Sequence, residues 1–179
     1  MSLEEQFIEI IERKHNELNL GKDYSQKFSK IRDFEGNAIG QIGEEYMKLV
    51  VSNISPVQND ATIHNEYDIL TESGKYLEVK TARKGRTNNT FQFNGINPRY
   101  NYDYLVCLAV CEDRLLYRIF LKSEMTYIHK ERNHFIIQGE YRRQLVKMNP
   151  ENQVNLKLTI SMSDLFDISN LPNELRTLI

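Results

Sequence analysis

An acidic and a basic side chain lie two residues apart in a stretch of alternating polarity. They are Glu78 and Lys80, and the apolar residues Leu77 and Val79 alternate with them. Because successive side chains of a strand point to opposite faces, the two charged groups are predicted to stand side by side on a partly buried sheet. Carboxylate oxygens bind hard cations such as Mg²⁺, and an ammonium group can stabilise negative charge that develops nearby. The pair is therefore a candidate site for chemistry.

A turn before this strand sets the register of the hairpin that contains it. A two-residue loop at 73–74 and a three-residue loop at 72–74 are the alternatives. We expect the three-residue loop, with Gly74 in the left-handed conformation and Thr71 paired with Lys75.

That register decides whether a second acid joins the pair. With the three-residue loop, Asp68 stands opposite Glu78, and Glu66 stands opposite Lys80. With the shorter loop, Asp68 would face Val79 instead, because a slip of one residue turns every side chain to the other face. The sequence therefore predicts two carboxylates and one ammonium group on the same side of the hairpin.

Asp68, Glu78 and Lys80, with nine residues between the two acids, resemble the motif of the PD-(D/E)xK nuclease superfamily. Tyr67 stands where that motif has proline. The resemblance implies Mg²⁺-dependent hydrolysis of DNA, with Mn²⁺ able to substitute, to 5′-phosphate and 3′-hydroxyl ends. It implies Asp68, Glu78 and the backbone carbonyl of Val79 as metal ligands, and Lys80 as a group that positions water or stabilises charge. The alternative interpretation is a solvated surface pair on an amphipathic strand.

A helix predicted over residues 36–51 precedes the hairpin. Its buried stripe consists of Ile39, Ile42, Tyr46, Leu49 and Val50. Glu44 lies on the adjoining stripe with Gly40, whose small size is expected to let the helix approach the sheet. In the resembled family such a helix brings a further Glu to the metal, which implies Glu44 as a fourth catalytic and metal-binding residue. Glu45 is its rival, and both could instead be surface acids.

A basic, amide-rich segment follows the Glu-x-Lys strand. No acid occurs between Lys80 and Arg99, and Arg, Asn and Gln side chains are suited to phosphates and base edges. The loop-like segment 81–90 and the turn-rich segment 91–101 are therefore predicted to contact DNA, the alternative being a solvated, structured loop. The candidate DNA-binding residues are Arg83, Lys84, Arg86, Asn88, Asn89, Gln92, Asn94, Asn97 and Arg99.

The remaining elements are predicted from apolar periodicity. A helix is expected over 3–18 and a short one over 19–35, and strands over 102–111, 115–121 and 155–162. The near-continuous apolar run of 102–111 indicates the centre of a sheet covered on both faces. Ser123 is expected to begin a short helix through Ile128, and Ser163 a final helical turn through Leu171.

This order of elements resembles the three-layer restriction-endonuclease-like core, an α/β fold with a mixed central sheet flanked by helices. One domain is expected over 1–179. Within it we assign a helical part to 1–35, the catalytic core to about 36–128, and a C-terminal strand and helix elaboration to 129–179.

Composition limits the class of protein. The formal net charge is −2, so any attraction to DNA has to come from a local basic face. Cys107 and Cys111 are predicted to be buried thiols in a reducing cytoplasm, because four residues along a strand separate them too far for a disulfide. The sequence shows no signal peptide or membrane span and suggests no organic cofactor.

The function expected by resemblance is that of a type II restriction endonuclease acting as a homodimer on double-stranded DNA. A structure-selective nuclease of the same fold, such as a junction resolvase or repair enzyme, is the second interpretation. A DNA-binding module without catalytic activity is the third.

Overall fold

The computed structural model describes residues 2–18, 25–58, 66–85, 88–97, 99–129, 134–137, 143–147 and 156–179, and between 124 and 147 only the backbone. Within these ranges the helices are α1 Leu3–Glu17, α2 Gly36–Ser52 and α3 Leu171–Leu178. The strands are β1 Ile69–Leu70, β2 Tyr76–Arg83, β3 Thr90–Ile96, β4 Tyr104–Val110, β5 Leu115–Leu121, β6 Met125–His129, β7 His134–Ile137, β8 Arg143–Lys147, β9 Leu156–Ser161 and β10 Phe166–Asp167. Short 3₁₀ turns lie at Ser29–Asp33, Lys122–Glu124, Met162–Asp164 and Ile168–Asn170.

A five-stranded mixed sheet in the order β1-β2-β4-β5-β10 carries the predicted hairpin. β2 and β4 run parallel, from Leu77 opposite Tyr104 to Arg83 opposite Val110. The other pairings of this sheet are antiparallel. All seven residues of β4 are buried, because β4 lies between two strands and both of its faces are covered. This confirms the central strand predicted at 102–111.

The two faces of this sheet are covered by different layers. On one face, Leu77 and Val79 pack in a cluster with residues of α1, α2 and α3. On the other face, Ala82 and residues of β4 and β5 pack against β3 and β9. The predicted mixed sheet flanked by helices is thus confirmed, and the structure adds a layer of strands on the face away from α1, α2 and α3.

That second layer is a five-stranded sheet in the order β3-β9-β8-β7-β6. Its strand β3 corrects the prediction of a turn-rich segment over 91–101. Phe91 and Phe93 point inward and are fully buried, so the segment alternates as a half-buried strand does. The turn signal came from Asn94-Gly95, and Gly95 has a φ of 74° where the pairing of β3 with β9 shifts.

Three other predicted elements differ from the structure. The short helix predicted from Ser123 is a 3₁₀ turn followed by β6, because strand pairing with β7 overrides local propensity. The helical turn predicted over 163–171 is divided into two 3₁₀ turns, Met162–Asp164 and Ile168–Asn170, with β10 between them, and the last helix begins at Leu171. In the segment 19–35 the structure has a 3₁₀ helix at Ser29–Asp33, and residues 19–24 lie outside the described part.

Helix α1 confirms the helix predicted over 3–18. It packs against α2. Ser2 and Glu5 form a reciprocal capping box at its start, which satisfies backbone N–H groups that have no partner within the helix. The Phe7 ring meets the Tyr46 ring edge to face at 4.8 Å between centroids. This aromatic contact holds α1 against the helix that carries Glu44.

Two other observations concern predictions made from composition. Cys107 and Cys111 are buried and form no disulfide, as predicted. In the described part of the chain, no helix has both the length and the apolar character needed to span a bilayer.

Candidate active site

The hairpin has the predicted three-residue loop. The Thr71 N–H donates to the Lys75 carbonyl at 2.9 Å, and Ile69 pairs with Leu77 in the same register. Gly74 adopts the left-handed conformation with a φ of 81°, which a residue with a side chain rarely adopts. The register on which the candidate site depends is therefore confirmed.

Asp68 lies directly before β1, and it is attached to β2 by both its backbone and its side chain. Its N–H donates to the Leu77 carbonyl at 2.9 Å, and its Oδ2 accepts from the Val79 N–H at 2.7 Å. These two bonds bracket Glu78, so the Asp68 carboxylate is held beside that residue. The predicted pairing of Glu66 with Lys80 is wrong, because the ladder between β1 and β2 does not extend past Ile69.

Glu78 and Lys80 form an ion pair on the face of β2 opposite Leu77 and Val79. Glu78 is only 4% exposed, and the Lys80 side chain is 21% exposed. A charged pair this far from solvent is costly to bury unless other groups compensate. The arrangement is therefore more than the solvated surface pair that the sequence left open.

Helix α2 approaches β2 through Gly43. A Cβ atom at this position would lie 2.7 Å from Cβ and 3.0 Å from Cγ2 of Thr81, whereas a Cβ at Gly40 would meet nothing within 4 Å. The close approach predicted for Gly40 is thus made one turn later, by Gly43. Because Glu44 follows Gly43 directly, the same contact brings Glu44 to the edge of β2.

Electrostatic interactions distinguish Glu44 from Glu45, the other candidate for the acid that α2 brings to the site. The Glu44 carboxyl interacts with the charges of Asp68 and Lys80. Glu45 instead forms an ion pair with Arg13 of α1, and so belongs to the contact between two helices. Of the two acids, Glu44 is the one that the structure places with the hairpin residues.

The pKa values of these groups reflect burial and crowding of like charge. Burial and the Asp68 charge raise the pKa of Glu78 to about 7. Burial raises the pKa of Asp68 and, together with the Asp68 charge, that of Glu44. For Lys80, burial acts to lower the pKa, but the charge and hydrogen bond of Glu78, with Asp68 and Glu44, outweigh it and raise the pKa. The Lys80 ammonium group therefore stabilises a site that carries excess negative charge.

Lys48 is a neighbour that sequence reasoning missed. Its charge acts on both Glu44 and Asp68, lowering their pKa values against the effect of burial. It lies one helical turn after Glu44, and a Glu followed by Lys four residues later on a helix is the signal that could have identified it.

The donor set of carboxylate oxygens is suited to a hard divalent cation. Among the described residues, no group of three His, Cys, Asp or Glu side chains has the geometry to hold a metal ion. Three carboxylates nevertheless influence one another electrostatically, those of Glu44, Asp68 and Glu78. Their excess negative charge and oxygen chemistry fit Mg²⁺ or Mn²⁺. Since Asp68 Oδ2 accepts from Val79, Oδ1 is the oxygen of that residue that we expect to bind the cation.

A cleft of about 580 Å³ lies along the last residues of β2. Thr81, next to Lys80, lies in its wall. Five of the predicted DNA-binding residues line it: Arg83, Lys84, Asn88, Gln92 and Asn94. The structure thus brings together residues that are spread over two segments of the sequence.

Of the other predicted DNA-binding residues, the three that the structure describes do not line this cleft. Asn89 lines a second cavity, of about 820 Å³, on the far side of Lys84. Asn97 is buried, and its Oδ1 accepts from the Arg99 N–H at 3.0 Å, so it stabilises a turn. Neither Asn97 nor Arg99 is among the described residues that line the 580 Å³ cleft. Arg86 lies outside the described residues.

Arg83 also has a structural role. Its Nη1 donates to the carbonyl oxygens of Arg32 at 2.8 Å and Phe34 at 3.3 Å. These bonds fasten the end of the 3₁₀ helix Ser29–Asp33 to β2, just before α2 begins. In the cleft, Lys84 is therefore the more available cation of the two.

The raised pKa of Glu78 predicts a pH-dependent stability of the metal-free protein. Because native Glu78 holds its proton to higher pH than an unfolded glutamate, the native state binds more protons between about pH 4.5 and 7. The contribution of Glu78 to the free energy of unfolding therefore decreases as pH rises from about 4.5 to 7. We expect the unfolding free energy of wild type to fall by on the order of 1–3 kcal/mol relative to Glu78→Gln between pH 5 and 8. Urea unfolding in EDTA measures this difference.

Glu72→Gln is the matched control for that measurement, because Glu72 lies exposed in the hairpin loop. Its pH dependence should match that of wild type. If the free energies of unfolding of wild type and Glu78→Gln changed with pH in parallel, the pKa of native Glu78 would not be raised, and the prediction would be wrong.

No protein-family model matches this chain, and a comparison with curated proteins also gives no match.

Proposed function

We propose that this protein is a metal-dependent endodeoxyribonuclease of the PD-(D/E)xK type, built on a restriction-endonuclease-like core. The observation that carries the proposal is the convergence of Asp68, directly before β1, with Glu78 and Lys80 of β2, and with Glu44 presented by α2. These four groups come from two distant segments of the sequence, and their residue types are those that phosphodiester hydrolysis requires.

Asp68 and Glu78 would hold the Mg²⁺ ion, with the Val79 carbonyl and Glu44 as further ligands. The ion supplies neutralisation of the negative charge that develops on the phosphate oxygens. The hydrogen bond from the Val79 N–H fixes the Asp68 carboxylate before substrate binds, so the ligand does not have to be ordered during the reaction.

Lys80 acts as a charged hydrogen-bond donor in this proposal. Its ion pair with Glu78 favours the ammonium form, and an ammonium group has no lone pair with which to accept a proton. Lys80 therefore positions the attacking water or stabilises charge on the scissile phosphate. It is not assigned the role of general base.

We take the substrate to be double-stranded DNA and the biological role to be that of a type II restriction enzyme. The support is the cleft beside the catalytic strand, whose lining includes the amide side chains of Asn88, Gln92 and Asn94 and the ammonium group of Lys84. An enzyme that cuts a palindromic site on both strands works most simply as a two-fold homodimer. Mass measurement by light scattering during gel filtration tests that part of the proposal.

Incubation of the purified protein with phage DNA and Mg²⁺ or Mn²⁺ tests the function directly. Discrete bands, with ends that carry 5′-phosphate and 3′-hydroxyl groups, are the expected result. Cleavage restricted to branched DNA would point to a structure-selective nuclease instead. Binding of DNA with no cleavage in either metal would contradict the hydrolytic proposal and favour a DNA-binding module.

A further inference from the structure

Strands β3 and β9 are adjacent antiparallel strands of the second sheet, in which β9 also pairs with β8 at Leu156 and Lys157. We call the β3–β9 pair the ribbon, and its two faces are chemically distinct. Its inner face is apolar and fully buried, with Phe91 and Phe93 on β3 and Leu158 and Ile160 on β9. Its outer face carries Gln92, Asn94 and Thr159, all exposed. Gln92 and Thr159 are direct cross-strand partners, so these uncharged polar groups form one patch.

This patch is a wall of the 580 Å³ cleft that adjoins the candidate active site. Lys84 and Asn88 line the same cleft at the end of β2, and Gly36 and Ile39 of α2 line it as well. The cleft also includes Thr81, the residue after Lys80. A molecule that occupies this cleft therefore lies against the ribbon and beside the catalytic strand.

The dimensions of the ribbon suit the major groove of DNA. Two neighbouring strands lie about 4.8 Å apart, so the outward side chains of β3 and β9 together span less than the roughly 12 Å width of the groove. Side chains on one face of a strand recur about every 6.7 Å, which is close to two base-pair steps of 3.4 Å. Gln92 and Asn94 are thus spaced to reach base pairs two steps apart.

The chemistry of the side chains distinguishes base reading from backbone contact. Gln and Asn amides can bond bidentately to adenine, and a threonine hydroxyl can donate or accept at a base edge. A lysine ammonium is suited to phosphates, which carry no sequence information. The exposed outward side chains of β3 and β9 are amides and a hydroxyl, and Lys157 lies half-buried on the same face of β9. Lys84 lines the same cleft.

We propose that the β3–β9 ribbon is the base-reading surface of this protein, with Gln92, Asn94 and Thr159 contacting base edges in the major groove and Lys84 contacting a phosphate. The inference rests on the proposed function, since it assigns how the same enzyme selects its DNA. It adds Thr159, which lies far along the chain from the residues that the sequence indicated.

The test separates binding preference from cleavage. A library of DNA duplexes with a randomised core is bound to the catalytically disabled Asp68→Asn protein, and the bound fraction is sequenced. On the same background, Gln92→Ala, Asn94→Ala and Thr159→Ala are each expected to relax preference at one or two base positions. For Gln92→Ala the loss of discrimination should be on the order of 5- to 150-fold. Lys84→Ala should weaken binding to all sequences alike and reduce the salt dependence.

Gln58→Ala is the matched control, because Gln58 is an exposed glutamine outside the cleft. Circular dichroism confirms that each variant is folded, and three independent substitutions on one surface keep the test decisive if one of them is not. A selected motif that is the same in all three variants as in the parent would overturn the inference. An absence of any preferred motif would overturn it as well.

Failure of the proposed function gives a different result. If wild-type protein selects a motif through the ribbon but cleaves no DNA in Mg²⁺ or Mn²⁺, the inference about the base-reading surface stands and the proposed nuclease function is wrong. If wild-type protein cleaves DNA and the ribbon variants have the same site preference, the proposed nuclease function stands and the inference about the base-reading surface is wrong. A protein that binds no DNA would overturn both.

Discussion

Replacing Asp68 with asparagine is expected to slow Mg²⁺-dependent DNA cleavage by about a thousandfold or more. The amide oxygen can still accept from the Val79 N–H that now bonds Oδ2, so the hairpin should keep its shape. What is lost is the negative charge of a metal ligand, and metal-ion catalysis contributes several kcal/mol to the stabilisation of the transition state. About 4 kcal/mol corresponds to a thousandfold in rate. Single-turnover cleavage of a plasmid containing the recognition site gives the rate.

Glu72→Gln is the control for this substitution, since it removes an exposed acid from the same hairpin and should leave the rate within about twofold of wild type. A similar loss is expected for Lys80→Met, because that change removes the ammonium group that is paired with Glu78. Cleavage at the wild-type rate by folded Asp68→Asn protein would refute the assignment of the site.

Replacing Gly43 with alanine is expected to destabilise the protein and to reduce its activity. The added Cβ would lie 2.7 Å from Cβ of Thr81, and a new rotamer of Thr81 cannot move that atom away. The helix or the strand has to shift, as in other overpacked cores, at a cost of about 1–3 kcal/mol. Because Glu44 is the next residue, the shift should also move its carboxylate and lower the cleavage rate, on the order of 10- to 100-fold. Urea unfolding and single-turnover kinetics measure the two effects.

Gly40→Ala is a stringent control, since it makes the same substitution one turn earlier in α2. A Cβ at Gly40 meets nothing within 4 Å, so the helix propensity of alanine should dominate and stabilise the protein by about 0.5–1 kcal/mol. Gly43→Ala is therefore expected to lower the free energy of unfolding, and Gly40→Ala to raise it. Equal stabilities of Gly43→Ala and Gly40→Ala would show that α2 does not depend on a close contact at Gly43.

The hairpin was predictable because its determinants are local. Gly74 permits the left-handed conformation that ends a three-residue loop, and the alternation around Glu78 and Lys80 then sets which side chains share a face. The register followed from these residues alone. The Asp68 carboxylate was placed beside Glu78 for the same reason, although its bonds to Leu77 and Val79 were not foreseen.

Features that depend on distant partners were not predictable. The sequence predicts a turn-rich segment in place of β3 because Asn94-Gly95 is a turn signal, and the partner strand β9 begins only at Leu156. The packing glycine was assigned to Gly40, since helical periodicity defines stripes but does not show which turn meets the sheet. Lys48 escaped notice because its role depends on where Asp68 lies, and not on its neighbours in the helix alone.

The pairing of β3 with β9 has a consequence for the time at which this protein becomes complete during synthesis. The hairpin, β4 and β5 are all made before residue 122, but the ribbon has only one of its two strands until Ser161 has left the ribosome. Contacts between such distant segments form late, because a long loop has to close first. On the proposed function, the catalytic groups are synthesised well before the surface that selects the DNA. A nascent chain therefore contains the proposed catalytic residues before β9, the second strand of the proposed base-reading surface, has been synthesised.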